Sequence, residues 1–465
     1  MEMKRLLLIL LLIYSGNAYS QHEGTFYFMN TISQSTYYNP AFTPKYNTTI
    51  GLPGISSNYF GVLNSGFSYN DLISRRAEDD SLVVTLDKFY DKLKDKNHLK
   101  GETMADLFHL SFKLNPRMHF TLNVTNKTNI HLVYPKEIAN LLINGNVPNI
   151  GKDAEFSITA NGSGYIETGV GLNYEINHMW SVGTRFKYLK GYTNITTKQA
   201  DFTINTADNY HIQLKGDALI QTAGLSNLED EELDNFSDFM GLINNNGFGL
   251  DLGASFRPSD RFTFGLALVD LGKIKWNNAV TEYVLNPETA DFTFRGVDIA
   301  ELLEDDSDLE FDLDSLEEKF KFQEVNGSAY SSILPAKIYL SGSYELCRNL
   351  YTSVLLSGQK NKGSFNMAAT ANITKHVGKA MTLAVSYTAS QNSYKNIGAG
   401  LSFNLAPLQL YVAGDNLFGA ATTAISGKDI NSHINGMQYF NLRFGINFIG
   451  AWQKTTEKLS DDKLF

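Results

Sequence analysis

The segment QYFNLRFGINFIG, residues Gln438 to Gly450, alternates strictly between two kinds of side chain. The apolar set comprises Phe440, Leu442, Phe444, Ile446 and Phe448, and the polar or small set comprises Asn441, Arg443, Gly445 and Asn447. A period of two residues puts the two sets on opposite faces of an extended chain. The segment therefore predicts a β-strand whose two faces have unlike surroundings.

The same alternation recurs through most of the chain. NGFGLDLGASF (246–256) and GVGLNYEIN (169–177) are two further examples. These segments are longer than typical globular strands, which average about 5–6 residues. They match the roughly 9–11 residues that a tilted strand needs to cross the hydrocarbon of a bilayer.

The connections between these segments fall into short turns and long polar insertions. The long insertions are residues 71–101, 126–163, 192–246, 277–334 and 419–437. Counting strands from Tyr59, long connections are expected after odd strands and short turns after even ones. In hydrocarbon every backbone N–H and C=O needs a partner, so the sheet has to close on itself. This pattern predicts an all-β fold, an antiparallel transmembrane β-barrel of about 14 strands with long outer loops.

Smaller features agree with a barrel. Trp180 and Trp452 are expected in the periplasmic aromatic girdle and Trp276 in the outer one. Within the insertions, residues 134–146 predict a short amphipathic helix, and residues 197–222 predict a β-hairpin that extends beyond the membrane.

The composition argues against nucleic-acid binding and against stabilisation by disulfides. The chain has 465 residues and a formal net charge of −10. It therefore lacks the basic footprint of a nucleic-acid-binding protein. Cys347 is the only cysteine, so disulfides cannot hold the fold together.

The chain is expected to divide into four parts. Residues 1–20 predict a secretory signal peptide, with Lys4 and Arg5 before an apolar run and cleavage after Ser20. Residues 21–56 form an N-terminal segment, residues 57–450 the barrel, and residues 451–465 a periplasmic C-terminal tail. The expected location is the cell outer membrane.

Sequence motifs favour no enzymatic function. Nucleophile elbows, zinc-protease helices, phosphate-binding loops and dinucleotide fingerprints are all missing. His119 and His131 are expected to be ordinary polar positions rather than metal ligands, and the acidic runs lack the calcium-loop signature. We expect no enzyme activity, no cofactor and no metal.

Strand parity predicts a set of charges that face the lumen: Glu167, Glu175, Arg185, Lys187, Asp251, Lys337 and Arg443. We expect mutual ion pairing, with a role in lining a passage as the alternative. The aspartates of VDLG (269–272) and GDNL (414–417) are expected to bond to backbone and end their strands.

The sequence also resembles a known family. SQSTYYNPAFTPKYNTTIGLP (33–53), NSGFSYNDL (64–72), YPKEIANLLINGN (134–146) and LALVDLGKIKW (266–276) together resemble an outer-membrane barrel family defined as a domain of unknown function. The resemblance extends over essentially the whole mature chain. More distantly, Asn39-Pro40-Ala41 is similar to the NPA motif of FadL-like long-chain fatty-acid transporters and of PorV and PorP/SprF-type barrels.

The distant resemblance implies a role for the N-terminal segment. In FadL-like transporters the segment with the NPA motif lies in the lumen, so Asn39, Pro40, Ala41 and Phe42 are expected in an N-terminal plug. The prolines of residues 37–53 also exclude a central strand there, because proline lacks the backbone donor. The alternative is a lead-in that follows the periplasmic rim to the first strand.

Three hypotheses are open at this stage, and the third is a secreted β-sandwich or adhesin, which would have to explain the apolar faces of many strands without a second sheet to cover them. The first, which the resemblance favours, is a barrel that passes small apolar molecules across the outer membrane. It predicts an apolar pocket behind the plug and a lateral opening at a bulged strand. The second is a non-transporting scaffold or partner subunit of an envelope or secretion assembly, with a sealed lumen. Expected partners are outer-membrane lipid, a small hydrophobic ligand or other envelope proteins.

Overall fold

A closed antiparallel barrel forms the body of the computed structural model. The structure describes residues 23–67, 69–76, 81–145, 149–225, 244–295, 313–361, 364–390, 393–416 and 439–450. The expected signal peptide, the expected C-terminal tail with Trp452 and most of the two acidic runs lie outside the described residues.

The strands in chain order are β1 (Thr48–Gly51), β2 (Asn58–Asn64), β3 (Ile73–Arg75), β4 (Leu82–Val84), β5 (Lys96–Asn115), β6 (Met118–Pro135), β7 (Asp153–Ser157), β8 (Thr159–Glu175), β9 (Trp180–Thr206), β10 (Ile212–Ala223), β11 (Asn245–Ser259), β12 (Phe262–Trp276), β13 (Val280–Leu285), β14 (Asp291–Phe294), β15 (Gln323–Asn326), β16 (Tyr330–Ile333), β17 (Lys337–Cys347), β18 (Leu350–Asn361), β19 (Ser364–Val377), β20 (Met381–Ser390), β21 (Ser393–Leu405), β22 (Leu408–Asp415) and β23 (Tyr439–Ile449). The helices are α1 (Gly24–Tyr27), α2 (Tyr69–Leu72), α3 (Leu86–Lys92), α4 (Lys136–Asn144) and α5 (Leu313–Lys319), with a 3-10 helix at Ser33–Tyr37.

The barrel wall closes through its first strand. β1 and β2 are two halves of that strand, and both halves pair with β5 on one side and with β23 on the other. From β5 the ring continues through β6, β8, β9, β11, β12, β17, β18, β19, β20, β21 and β22 to β23. The predicted antiparallel barrel of about 14 strands is confirmed.

The two faces of the wall differ as the alternation predicts. Along β23, Asn441, Arg443 and Asn447 are buried inside the barrel, whereas Phe444 and Phe448 are exposed on the outside. The outward face of the other wall strands also carries large exposed apolar side chains. The period of two residues therefore sorts polar groups inward and apolar groups outward around the ring.

The two ends of the barrel are unlike. We call the end with the short turns, such as the one between β5 and β6, the turn end, and the opposite end the loop end. β5, β6, β8 and β9 have 20, 18, 17 and 27 residues and continue past the ring at the loop end. There β7, β10 and β13–β16 extend the sheet. The predicted hairpin is the β9–β10 pair, and the predicted helix is α4.

Three sequence expectations need correction. The wall begins at Thr48 rather than near Tyr59, so part of the expected N-terminal segment pairs as β1. The alternation of long and short connections is not strict, because β18 and β20 are each followed by only two residues before the next strand. Trp276 is fully buried and donates its indole N–H to Ser332 Oγ at 2.7 Å, so it is not in an outer girdle.

Trp180, by contrast, is exposed on the outer surface at the turn end and stacks on Phe256 with ring centroids 4.4 Å apart. Among the described residues, no helix is long and apolar enough to span a bilayer.

Candidate functional site

The interior of the barrel is crossed by contacts from the N-terminal segment, here residues Glu23–Tyr46. α1 is completely buried, as are most residues of the 3-10 helix. Side chains and carbonyls of the segment bond to inward-facing residues of β5, β8, β9, β17, β20, β22 and β23. Because these strands lie on all sides of the ring, the contacts traverse the lumen.

An ion pair holds the beginning of the segment. Arg443 Nε donates to Glu23 Oε1 at 2.5 Å, and its terminal nitrogen donates to Oε2 at 2.9 Å. Tyr38 OH donates to the same carboxylate, and the guanidinium lies 5.0 Å from the ring centroid of Phe26. Burial raises the pKa of the Glu23 carboxyl above its usual range, while Arg443 opposes that shift.

An aromatic cluster surrounds this ion pair. The ring centroid of Tyr27 lies 5.5 Å from that of Tyr339 and 5.2 Å from that of Phe42, and Phe26 lies 5.7 Å from Tyr411. Tyr27 OH donates to Ser341 Oγ at 3.0 Å. Segment and wall thus share one packed core.

The NPA residues contact a part of the wall that is lined by glycine. Asn39 Oδ1 accepts a hydrogen bond from the N–H of Ala41 at 2.9 Å, which forms a tight side-chain turn. The carbonyl of Ala41 accepts from Ser181 Oγ at 2.9 Å. A Cβ on Gly183 would lie 2.0 Å from the Pro40 carbonyl oxygen, so only glycine allows this approach. Strand periodicity marks such glycines as inward-facing but does not reveal what approaches them.

The seven charges expected in the lumen all lie on the inward face, and the structure brings four of them together. Lys187 Nζ lies 2.7 Å from Asp251 and 3.6 Å from Glu167, and Arg185 lies 3.8 Å from Asp251. The remaining three are at other places: Arg443 is paired with Glu23, Lys337 lies 3.4 Å from Glu102, and Glu175 accepts from Thr43 at 2.9 Å.

Sequence reasoning missed several members of this network. Lys187 Nζ lies 2.6 Å from Asp270, a residue that was expected to end its strand by bonding to backbone. Instead β12 continues to Trp276, and Asp270 has a positive φ of 62°. Lys127 lies 2.7 Å from Glu167 and could have been found from the parity of β6. Glu102 was missed because it adjoins a predicted loop.

Asp415, the aspartate of GDNL, agrees in part with the prediction that it ends its strand by bonding to backbone. β22 does end at Asp415, but its carboxylate accepts from the side chains of Thr25 and Asn441 at 2.9 and 2.8 Å rather than from backbone. The residue therefore contacts the N-terminal segment.

The first wall strand is interrupted between β1 and β2. Residues 52–57 lie opposite three residues of β5 and two of β23, as the flanking pairs Gly51–His109, Asn58–Ala105, Gly51–Asn447 and Asn58–Phe444 define. Leu52 and Ile55 are exposed on the outside, whereas Ser56 and Ser57 are buried. The extra length thus forms an apolar turn on the outer surface of the wall.

The interruption is linked to the N-terminal segment through Asp106. Tyr37 OH donates to Asp106 Oδ2 at 2.9 Å, and Ser56 Oγ approaches the same oxygen at 3.5 Å. The carbonyl of Ser56 accepts from Tyr411 OH at 2.8 Å. Sequence analysis did not single out Asp106, because the β5 bulge at this point shifts the parity.

The histidines considered as metal ligands are engaged elsewhere. His119 Nε2 bonds to Ser111 Oγ at 2.9 Å, and His131 stacks on His98 with ring nitrogens 3.0 Å apart. Among the described residues, no group of three or more histidine, cysteine or acidic side chains is placed to hold a metal ion.

A small cavity lies between residues 40–44 and the wall at the turn end. Its enclosed space is about 10 Å³, and its lining includes Phe42, His119, Gly171 and Arg185. This space suits one water molecule and is much smaller than an ordinary ligand pocket.

Comparison with solved structures found chains to which this one is similar. It is similar to the P. putida toluene transporter TodX, with 7% identity and a TM-score of 0.41, covering 90% of this chain and 93% of that one. It is similar to a Pseudomonas aeruginosa FadL homologue, with 11% identity and a TM-score of 0.39, covering 93% and 98%. It is also similar to a mutant Rh. blastica porin, with 7% identity and a TM-score of 0.24, covering 85% and 99%.

The comparison with curated proteins found no match. The family model described as "Family of unknown function (DUF5723)" matches residues 40–415, which is most of the chain. The chain belongs to this family, DUF5723.

Proposed function

We propose that this protein is an outer-membrane barrel that passes small apolar molecules, with the N-terminal segment as a plug in its lumen. The observation that carries this proposal is the interrupted first strand. Residues 52–57 replace regular pairing by an apolar turn on the outer surface of the wall, next to the N-terminal segment. A wall strand with surplus length can rearrange without stretching its neighbours, which suits a lateral exit for an apolar solute.

The outward face of the wall supports a location in lipid. Large apolar side chains are exposed around the ring, and a protein in water rarely leaves so much apolar surface uncovered. Contact with hydrocarbon removes that cost, and ring closure satisfies the backbone. Proteins of this kind are exported, which agrees with the expected signal peptide at residues 1–20.

Bonds between the plug and the interruption support a coupled motion. Asp106 bonds to Tyr37 of the segment and approaches Ser56 of the interruption, so movement of either one removes a partner from the same carboxylate. In this proposal a shift of the N-terminal segment and a rearrangement of residues 52–57 occur together. Of the seven lumenal charges, Arg443, Arg185 and Glu175 contact the segment and act as its anchors in the closed state.

The test is uptake by purified protein in proteoliposomes, with a radiolabelled alkane and a monoaromatic hydrocarbon as probes. Removing residues 53–55 leaves three residues opposite the three of β5, which should restore regular pairing with β5, and reduces the surplus relative to β23 to one residue. We expect uptake to fall at least tenfold while the barrel keeps its heat-modifiable migration on gels. Ile50→Ala, which changes an exposed side chain of β1 outside the interruption, is the matched control. Unchanged uptake in the deletion protein would refute the lateral exit.

The second candidate is a non-transporting scaffold, and one observation favours it. The lumen contains an ion pair that joins opposite sides of the wall, Glu102 with Lys337, in addition to the N-terminal segment. A permanently sealed barrel with structured extensions at the loop end suits a partner subunit of an envelope assembly. No uptake of either probe by the unaltered protein, together with stable co-purification of an envelope protein, would favour this candidate.

A further inference from the structure

We propose that the lumen has a second closure, a transluminal belt of wall residues that blocks ions and polar solutes at the loop end independently of the N-terminal segment. The belt consists of Glu102, Lys127, Glu167, Arg185, Lys187, Asp251, Asp270 and Lys337. The proposal deepens the proposed function, on which it rests, by assigning which solutes are excluded from the axis of the barrel.

The first argument is the reach of the ion pairs. Lys337 of β17 lies 3.4 Å from Glu102 of β5, although β6, β8, β9, β11 and β12 separate these strands along the shorter part of the ring. Lys127 of β6 lies 3.8 Å from Asp270 of β12, across β8, β9 and β11. Ion pairs between strands so far apart in the wall have to cross the lumen instead of running along the wall.

The second argument is the charge balance. The belt contains four basic and four acidic side chains, so its formal charge is zero. Lys187 and Asp251 are almost completely buried, at 1% and 0% side-chain exposure. A neutral, dehydrated layer offers a passing ion no compensating field, and removing that ion's hydration shell is costly. The belt therefore excludes both cations and anions.

The third argument is an apolar layer on the loop side of the belt. Tyr165, Leu189, Ile274, Trp276 and Leu334 form one buried cluster. On β8, Tyr165 lies on the same face as Glu167 and two residues nearer the loop end. On β9, Leu189 is placed in the same way relative to Lys187. A packed apolar layer directly above a paired ionic layer leaves no polar route through the part of the lumen that β8, β9 and β12 border.

The fourth argument is independence from the N-terminal segment. Lys127–Glu167, Lys187–Asp251, Lys187–Asp270 and Glu102–Lys337 join wall residues only. Of the belt members, Arg185 also bonds to the segment, donating to Thr36 Oγ1 at 3.2 Å. Loss of the segment would therefore leave most of the belt in place.

Ionic conductance in planar bilayers tests the belt. The first protein lacks residues 24–43, and the second carries in addition Glu102→Ala, Lys127→Ala, Asp270→Ala, Lys337→Ala and Trp276→Ala, which leave the formal charge unchanged. We expect no channel-like steps from the first protein and clear steps from the second. Steady open-channel conductance from the first protein would overturn the proposal.

Thiol labelling gives a second measurement that does not need the five-fold variant to fold. Ser341→Cys lies on β17 toward the turn end from Lys337, and Cys347→Ser removes the native thiol. In the deletion protein, an impermeant maleimide added at the loop side should label Ser341→Cys at least tenfold more slowly than the exposed control Ser331→Cys. Equal labelling would overturn the belt.

A second variant replaces the deletion protein if that protein does not fold, and separate measurements distinguish the belt from the proposed function. If the deletion protein does not form a barrel, Gly183→Ala with Gly253→Ala displaces the segment without shortening the chain, because each Cβ would clash with residues 39–41. Conductance and labelling report ions and polar reagents, whereas the proposed function is measured by uptake of apolar probes. Either proposal can therefore fail while the other stands.

Discussion

A Cβ placed on Gly183 would lie 2.0 Å from the carbonyl oxygen of Pro40, far inside van der Waals contact. The obstacle is backbone rather than a flexible side-chain end, so the clash cannot be relieved by a rotamer change. The glycine of β9 and the proline of the N-terminal segment therefore define how closely the two can approach.

Gly183→Ala should loosen the N-terminal segment while leaving the wall intact. Overpacking of this kind typically costs about 1–3 kcal/mol, and the segment can avoid it by moving away. We expect faster proteolysis within residues 23–46 from the turn side, measured by mass spectrometry of timed digests. Gly342→Ala is the matched control, because its Cβ would meet Phe264 at 3.6 Å, an ordinary contact. Equal digestion of both variants would contradict the close approach.

Arg443→Met should destabilise the protein strongly because it leaves the Glu23 carboxylate buried without its partner. Removing one member of a buried ion pair typically costs about 3–5 kcal/mol. The double variant Arg443→Met with Glu23→Gln should recover a large part of that loss. Urea unfolding followed by heat-modifiable gel migration measures the unaltered protein, both single variants and the double variant. Additive losses in the double variant would show that the two residues do not act as a pair.

Stability should decrease in mild acid because of the stacked pair His98–His131. These residues lie near the loop end of β5 and β6, and His98 is one residue past the last pair between β2 and β5. Burial and the nearby Lys100 lower the pKa of His98 to about 4 and that of His131 to about 3. The unfolded chain takes up these protons near pH 6.5, but the folded chain resists them. The neutral pair therefore does not reduce the free energy of unfolding above about pH 6.5, and this free energy decreases progressively as the pH falls toward 4.

Urea midpoints at pH 7.5, 6 and 5 measure this loss. Replacing both histidines by asparagine should reduce the pH dependence, whereas His178→Asn, at an exposed turn between β8 and β9, should leave it unchanged. A pH profile unchanged by the double substitution would exclude the pair as its source.

The two tryptophans of the wall should differ in their contact with lipid. Trp180 is 43% exposed on the outer surface, whereas Trp276 is fully buried in the apolar cluster. Each variant is made in a Trp452→Phe background, so that one tryptophan remains. Brominated lipid should quench Trp180, the tryptophan that remains in Trp276→Phe. It should not quench Trp276, the tryptophan that remains in Trp180→Phe. Strong quenching of Trp276 would contradict its burial.

The alternation of residues 438–450 was sufficient to predict the wall. Side chains separated by two residues share a face in any strand, so parity assigns Arg443 inward and Phe444 outward without knowledge of the neighbours. The same argument placed Glu167, Lys187 and Asp251 inside the barrel. It failed at Asp106 and Asp270, because a bulge shifts the parity by one and leaves no mark in the local pattern.

Periodicity is a local property, and it determined the closed antiparallel sheet, the inward and outward faces and the approximate number of strands. Only the tertiary structure decided that Lys337 meets Glu102, that Glu23 meets Arg443 and that Trp276 is buried. These contacts join residues far apart in the chain, and they depend on the order of strands around the ring and on their register. Neither is encoded in the alternation of any single strand, because a shift by two residues preserves every face while changing every partner.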